Sequence, residues 1–406
     1  MKPSGKYSLL LSLYLAQSVP MSFFSTALPV ILRQENFSLT SIGLLQFVKL
    51  PWLLKLFWAP AVDATARDAR GYRKWIVTSE IFYAVVVFSM ALFDLRTDFS
   101  TIVPLIVIAL LFSATQDIAT DALAVRLLKP EERGPGNAVQ SAGGFLGTVV
   151  GSGLLLAAYG WFGWKAVALG LGALVLLAVS PVFTVKTEDF AAPHTGRKVR
   201  WLDIVGFFKG NSAPARIFLL LTLWAGIIGI IAMLKPFFVD KGLSLTEIAF
   251  LNGVVGTAFA AASSLLGGQL IKRAGLRFSL NLFLVLNALA ALFLYAVNHS
   301  GSHLALYAGS IGIWTAYGFS SVAVYVFAMN GVRGGLEGTD FTSQIFLTQL
   351  SALLISALSG RVADKLGYDA LFFGGAVISA AVLAVLNTKW ARGRLFPEGA
   401  EDSAPG

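Results

Sequence analysis

Long apolar runs alternate along the chain with short clusters of charge, and the runs set the architecture. A helix needs roughly 20 apolar residues to cross about 30 Å of hydrocarbon. The breaks between runs predict twelve such helices, numbered here as spans 1–12: 7–32, 39–62, 75–94, 101–128, 137–160, 163–184, 214–238, 244–271, 277–297, 303–330, 337–361 and 369–390. The break at Lys129-Pro130-Glu131-Glu132-Arg133-Gly134-Pro135-Gly136 is short but strongly helix-breaking. The pattern predicts an all-α membrane protein.

Composition supports this. Of 406 residues, 56% are hydrophobic and 13% charged. A soluble domain carries about a quarter charged residues, so lipid must solvate much of this surface. The net charge of +9 does not point to nucleic acid, because the charges sit between apolar runs. No cysteine is present, which excludes disulfides, thiolate metal sites and a cysteine nucleophile. Met1 to Lys6 lead straight into the first run without a small-residue cleavage site, so that run reads as span 1 and not as a signal peptide. Placing both termini in the cytoplasm puts 22 of the 31 basic residues on that side and six on the other. Lys49, Lys55 and Lys235 fall inside spans.

The two halves look duplicated. Ser38-Leu39-Thr40-Ser41-Ile42 returns as Ser244-Leu245-Thr246-Glu247-Ile248, and Gly163-Trp164-Lys165-Ala166 as Gly367-Tyr368-Asp369-Ala370. The order is the same and the offsets nearly so. The expected organisation is a six-helix bundle over 1–184, a basic cytoplasmic linker over 185–213, a second bundle over 214–391 and a short tail over 392–406. Two parallel six-span repeats resemble the plan of the major facilitator fold.

The loop after span 2 carries Asp63, Arg67, Arg70, Gly71, Arg73 and Lys74, similar to that superfamily's loop signature. The resemblance implies that the acid and the arginines latch helix ends in one conformation; positive-inside bias alone also demands charge there. The second copy has Lys272 where an acid is usual. Gln116-Asp117-Ile118-Ala119-Thr120-Asp121-Ala122, Phe57-Trp58-Ala59-Pro60-Ala61-Val62-Asp63 and Gly338-Thr339-Asp340-Phe341-Thr342 resemble one branch of the superfamily. That branch holds AmpG-type muropeptide permeases, acetyl-CoA transporters and RhtX/FptX-type siderophore importers. The compact length looks most like the siderophore importers.

Ionisable residues inside a membrane are costly, so each is a site candidate. Asp117 and Asp121 lie four apart on one face of span 4 and, with Glu80 in span 3, are candidates for proton coupling. Gating through Arg126 and Lys55, or a structural helix-end ion pair, is the competing role of the aspartates. Lys49 is a candidate substrate contact with Gln46 one turn before it; an ion pair with Asp117 or Glu80 is the alternative. Lys235 is a substrate contact or a snorkelling lysine. Gln17, Gln116, Trp224, Tyr317 and Gln344 complete the substrate-binding candidates, with interhelical hydrogen bonding as their bland role. Gly143, Gly147 and Gly151 form a packing stripe. His299 and His303 have metal-ligand spacing but fall in an outer turn with no accompanying carboxylate or cysteine, so no metal is expected.

No phosphate-binding loop appears, so an ion gradient is the expected energy source. The expected function is proton-coupled import of a ferric siderophore by alternating access at the cell inner membrane. A permease for muropeptide or another medium-sized anionic solute is the alternative, and an intramembrane enzyme a remote one. The expected partners are the small-molecule solute and the lipid bilayer, with no cofactor and a monomeric chain.

Overall fold

The computed structural model describes residues 1–38, 42, 45–66, 68–184, 186 and 198–396. Among these there is no strand. Eight helical stretches are long and apolar enough to cross a membrane. Two of them, Pro130–Thr184 and Glu337–Leu386, are each two passes divided at a glycine. Ala69–Met90 supplies span 3, and the pieces between Leu45 and Thr65 supply span 2, which brings the passes to twelve.

The dividing glycines belong to the sequence repeat. Gly163 has φ 74° and Gly367 φ 80°. Both lie in the left-handed region, where a side chain is strained. Each lets the chain turn from span 5 to span 6, or from span 11 to span 12, with almost no loop. The other repeat opens span 8, where Ser244 and Glu247 form a reciprocal capping box. In the first copy Ser38 and Ile42 are placed, while 39–41 lie outside the described residues.

Span 2 is not one regular helix. It proceeds through a 3-10 turn at Leu45–Lys49, an α-turn at Leu50–Leu54, a 3-10 turn at Lys55–Phe57 and an α-helix at Ala59–Thr65. Pro51 and Pro60 start the two α-helical pieces, because proline suits a first turn and interrupts an interior. Spans 1, 5 and 8 carry π-turns at Phe23–Ala27, Val150–Leu154 and Phe250–Gly256.

The chain forms two compact units. The first holds Met1–Lys129, Gly143–Asp203 and Val332–Thr342; the second holds Pro130–Ala142, Ile204–Gly331 and Ser343–Gly406. In the first unit the glycine stripe of span 5 lies against span 1. A Cβ on Gly147 would meet Ser18 Cβ at 2.4 Å, and one on Gly151 the Val19 carbonyl oxygen at 2.2 Å. Small residues here bring two backbones together.

One carboxylate in each unit ties helix-connecting loops. In the first, Glu35 accepts hydrogen bonds from Arg96 and from Tyr159 Oη, the latter at 2.8 Å. The Arg96 bond, helped by Tyr159, holds the Glu35 carboxyl below its ordinary range. In the second, Asp369 accepts from Asn298 Nδ2 at 2.7 Å and contacts His299 Nε2 at 2.8 Å. His299 therefore does have an accompanying carboxylate, brought from span 12, contrary to the sequence expectation. His303 opens the helix His303–Asn330, at the predicted start of span 10. Among the described residues no group of three or more possible ligands gathers for a metal ion.

Candidate functional site

Span 4 is the polar axis of the first unit. From Ser113 to Ala124 every residue of the helix Phe99–Leu127 is buried. A helix polar on several faces at membrane depth must find its partners on neighbouring helices. Asp117 is paired with Lys55 of span 2, and the two side chains are 5% and 6% exposed. Asp121 accepts a hydrogen bond from Tyr14 Oη of span 1 at 2.9 Å. Trp58 Nε1 of span 2 donates to Thr115 Oγ1 at 3.1 Å. The two aspartates thus have different partners on different spans.

Other buried polar atoms in this unit have no hydrogen-bond partner among the described residues. They include Gln17 Oε1, both amide atoms of Gln116, Thr120 Oγ1 and Glu80 Oε2. Glu80 is 1% exposed, and no cation pairs with it among the described residues. Buried polar groups are normally bonded, so these atoms on spans 1, 3 and 4 are the candidates for further polar contacts in this unit.

Lys49 differs from Lys55. It ends the 3-10 turn Leu45–Lys49, its side chain is exposed, and it makes no ion pair among the described residues. The alternative pairing of Lys49 with Asp117 or Glu80 is absent here, because Lys55 holds Asp117. The side chain of Gln46 and the whole of Arg67 lie outside the described residues.

Asp63, the acid of the expected latch, has defined partners. Asp63 is 4% exposed and faces the start of the helix Glu337–Leu386. Its carboxylate accepts from the backbone N–H of Gly338 at 2.9 Å and of Thr339 at 2.7 Å, and from Thr339 Oγ1 at 2.6 Å. Tyr72 Oη adds a fourth bond at 2.7 Å. An anion on free N–H groups at a helix start is favourable by charge and by hydrogen bonding. Beside it Arg126 Nε lies 3.3 Å from Glu337 Oε1, and Arg333 donates to Asp340 from its backbone N–H and two guanidinium nitrogens. Arg70 and Arg73 instead line a separate cavity with Lys74, Val77 and Phe183.

In the second unit Trp224 is buried, its Nε1 has no partner among the described residues, and its ring lies 5.8 Å from that of Tyr317. Trp314 completes an aromatic group, 6.1 Å from Tyr317, and donates to Asn252 Oδ1 at 3.1 Å. Gln344 accepts from Arg216 at 2.9 Å and donates to the Ala328 carbonyl oxygen at 2.8 Å, so its amide is engaged in packing. Lys235 is exposed. At the start of span 5, Gly134 lies against Gly268 of span 8; a Cβ on Gly268 would meet Ala138 Cβ at 2.4 Å and the Gly134 oxygen at 2.6 Å. Arg133 donates to Asn330 Oδ1 at 2.8 Å.

Sequence reasoning missed Tyr14, Tyr72, Glu337, Arg333 and Arg216. One of these was findable. Glu337, with Asp340 in the same first turn after glycines, signals a helix start able to receive an anion. The tyrosines gave no such signal: Tyr14 in its apolar run reads as an interfacial ring, and Tyr72 is one uncharged residue in a basic turn.

Twelve helical passes, a repeated turn and a carboxylate-capped helix start define a polytopic transporter fold. The family model for the Major Facilitator Superfamily matches residues 10–351, and the chain belongs to that superfamily. It is similar to the anhydromuropeptide permease of Escherichia coli strain K12, 24% identical over 392 residues, covering 93% of this chain and 79% of the relative. An uncharacterized protein of Haemophilus influenzae is 25% identical over 373 residues, 87% of each chain. Among solved structures, the human organic anion transporter MFSD10 superposes with a TM-score of 0.71 at 16% identity, covering 95% of this chain and 98% of that one. FucP in its outward conformation gives 0.71 at 15% identity, covering 96% and 98%. These superpositions show the fold. The chain is a transporter and not an enzyme.

Proposed function

We propose that the protein is a proton-coupled inner-membrane permease for muropeptides or closely related medium-sized anionic solutes, working by alternating access between its two six-span halves. The observation that carries this reading is the similarity to the anhydromuropeptide permease along 93% of the chain. Nothing in the named relatives favours the ferric siderophore suggested by the compact length, so the muropeptide reading takes its place.

The geometry fits such work. Lys49 is a cation without an ion-pair partner among the described residues, suited to a substrate carboxylate. Asp117 with Lys55, and Glu80, which has no cation partner among the described residues, supply carboxyl groups for proton movement. The Asp63 cap and the Arg126–Glu337 contact hold the cytoplasmic ends of spans 2, 4 and 11 together, in the orientation that the basic loops favour. Proton and solute binding near the midplane then compete with that latch as the halves rock.

The test is uptake into cells or proteoliposomes of labelled anhydro-muropeptides beside a panel of ferric siderophores, with and without a proton ionophore. Ionophore-sensitive uptake of the muropeptides alone is the expected result. Uptake of a siderophore with none of muropeptide overturns the assignment.

A further inference from the structure

The basic loop after span 2 divides between two jobs. Successive residues turn by about 100° around a helix, so Arg70, Arg73, Lys74 and Val77 share one face of span 3 while Tyr72 points away from it. Tyr72 serves the Asp63 latch. The other four line an open cavity of about 380 Å³ together with Phe183, at the end of span 6. The Arg73 guanidinium sits over the Phe183 ring at 5.3 Å. No acidic residue lines the cavity among the described residues.

We propose that this cavity binds the phosphodiester headgroup of an anionic glycerophospholipid. Its lining has two chemistries in the order that a lipid presents them. Arg70, Arg73 and Lys74 occupy the first two turns of span 3, on the loop side, and offer donors to phosphate oxygens. Val77 lies a turn deeper in the span and, with Phe183, offers apolar surface to the glycerol and the first acyl carbons. Phe183 is 56% exposed and stands where span 6 ends, the depth at which aromatic rings meet headgroups. Basic pockets between helices at the cytoplasmic end are suited to anionic headgroups. Arg70 and Arg73 have further contacts of their own, and a guanidinium with five donors can keep these while receiving a phosphate.

The test is native mass spectrometry of the delipidated full chain, titrated in separate arms with phosphatidylglycerol, phosphatidylcholine and inorganic phosphate. Retention of phosphatidylglycerol about five-fold or more above phosphatidylcholine is expected. Combined Arg70→Gln, Arg73→Gln and Lys74→Gln substitution should abolish that preference, and Arg70→Lys with Arg73→Lys should keep it. Should the triple variant fail to fold, Phe183→Ala, which leaves every charge in place, is expected to lower phosphatidylglycerol retention alone. An unchanged preference in the triple variant, or in Phe183→Ala where that variant stands in for it, overturns the site. Displacement of phosphatidylglycerol by inorganic phosphate overturns the lipid as its occupant.

Discussion

Lys55 of span 2 and Asp117 of span 4 form an ion pair that is shut away on both sides, with side chains 6% and 5% exposed. Removing one member of a buried pair strands the other charge and costs about 3–5 kcal/mol, whereas replacing both with apolar residues is often neutral. Lys55→Ala and Asp117→Ala should each lower the melting temperature in detergent. Lys55→Met with Asp117→Leu should recover most of it. Uptake should stay absent in all three, and transport by the double variant would remove the pair from the coupling machinery.

Lys49 should behave in the opposite way. It is exposed and makes no ion pair among the described residues. Lys49→Gln should leave the melting temperature within about 1 °C, since surface substitutions usually change stability by less than 0.5 kcal/mol. Uptake of an anionic solute should nevertheless fall at least about ten-fold, the loss of one charge-assisted contact of roughly 1.5 kcal/mol. Full uptake by Lys49→Gln sinks its role as a substrate contact.

Glu80 is buried without a cation partner among the described residues. A neutral amide of the same shape avoids the cost of burying a charge. Glu80→Gln should therefore be as stable as the parent or more so. If Glu80 carries a proton, the variant should lose the pH dependence of uptake while still binding solute. An unaltered pH profile assigns Glu80 a purely structural place.

The latch can be opened selectively. The natural chain has no cysteine, so one introduced thiol reports without background. Ile118 is fully buried, and its Cγ2 is 2.9 Å from where a Cβ on Gly338 would stand. Asp63→Ala removes the acceptor of four hydrogen bonds, worth about 1.5–3 kcal/mol each when one partner is charged. Maleimide labelling of Ile118→Cys should rise several-fold when Asp63→Ala is added. Unchanged labelling argues that Asp63 does not hold this end shut.

The Gly134–Gly268 contact is a packing counterpart within the second unit. Gly268→Ala should separate spans 5 and 8 at a cost of roughly 1–3 kcal/mol, typical of overpacking. The lowered melting temperature should be relieved by Ala138→Gly, which clears the nearest contact atom, Ala138 Cβ at 2.4 Å. Absence of that relief would show that the backbone oxygen of Gly134 is the decisive obstacle.

Much of the fold was legible because a bilayer imposes a simple rule. Each pass must be long, apolar and internally hydrogen-bonded, so twelve runs and their charged breaks could be read directly. The glycine stripe and the repeated Gly163 and Gly367 motifs were also local, since close approach and positive φ depend on the residue itself. The candidate site was legible as residue types: carboxylates, lysines and glutamines at membrane depth are too costly to be casual.

Partners were not legible, because they join residues far apart in sequence. Lys49 and Lys55 are six positions apart, and each stood alone in an apolar run. The irregular path of span 2, set by Pro51 and Pro60, puts Lys55 rather than Lys49 on Asp117. In the same way Asp63 meets Thr339 across 276 positions, and span 3 turns Tyr72 to the latch while Arg70 and Arg73 face Phe183. The passes, their breaks and the inventory of charge at membrane depth could be read from the chain, because lipid selects those locally. Which charges neutralise one another came from the folded arrangement alone, because pairing depends on helix rotation and register.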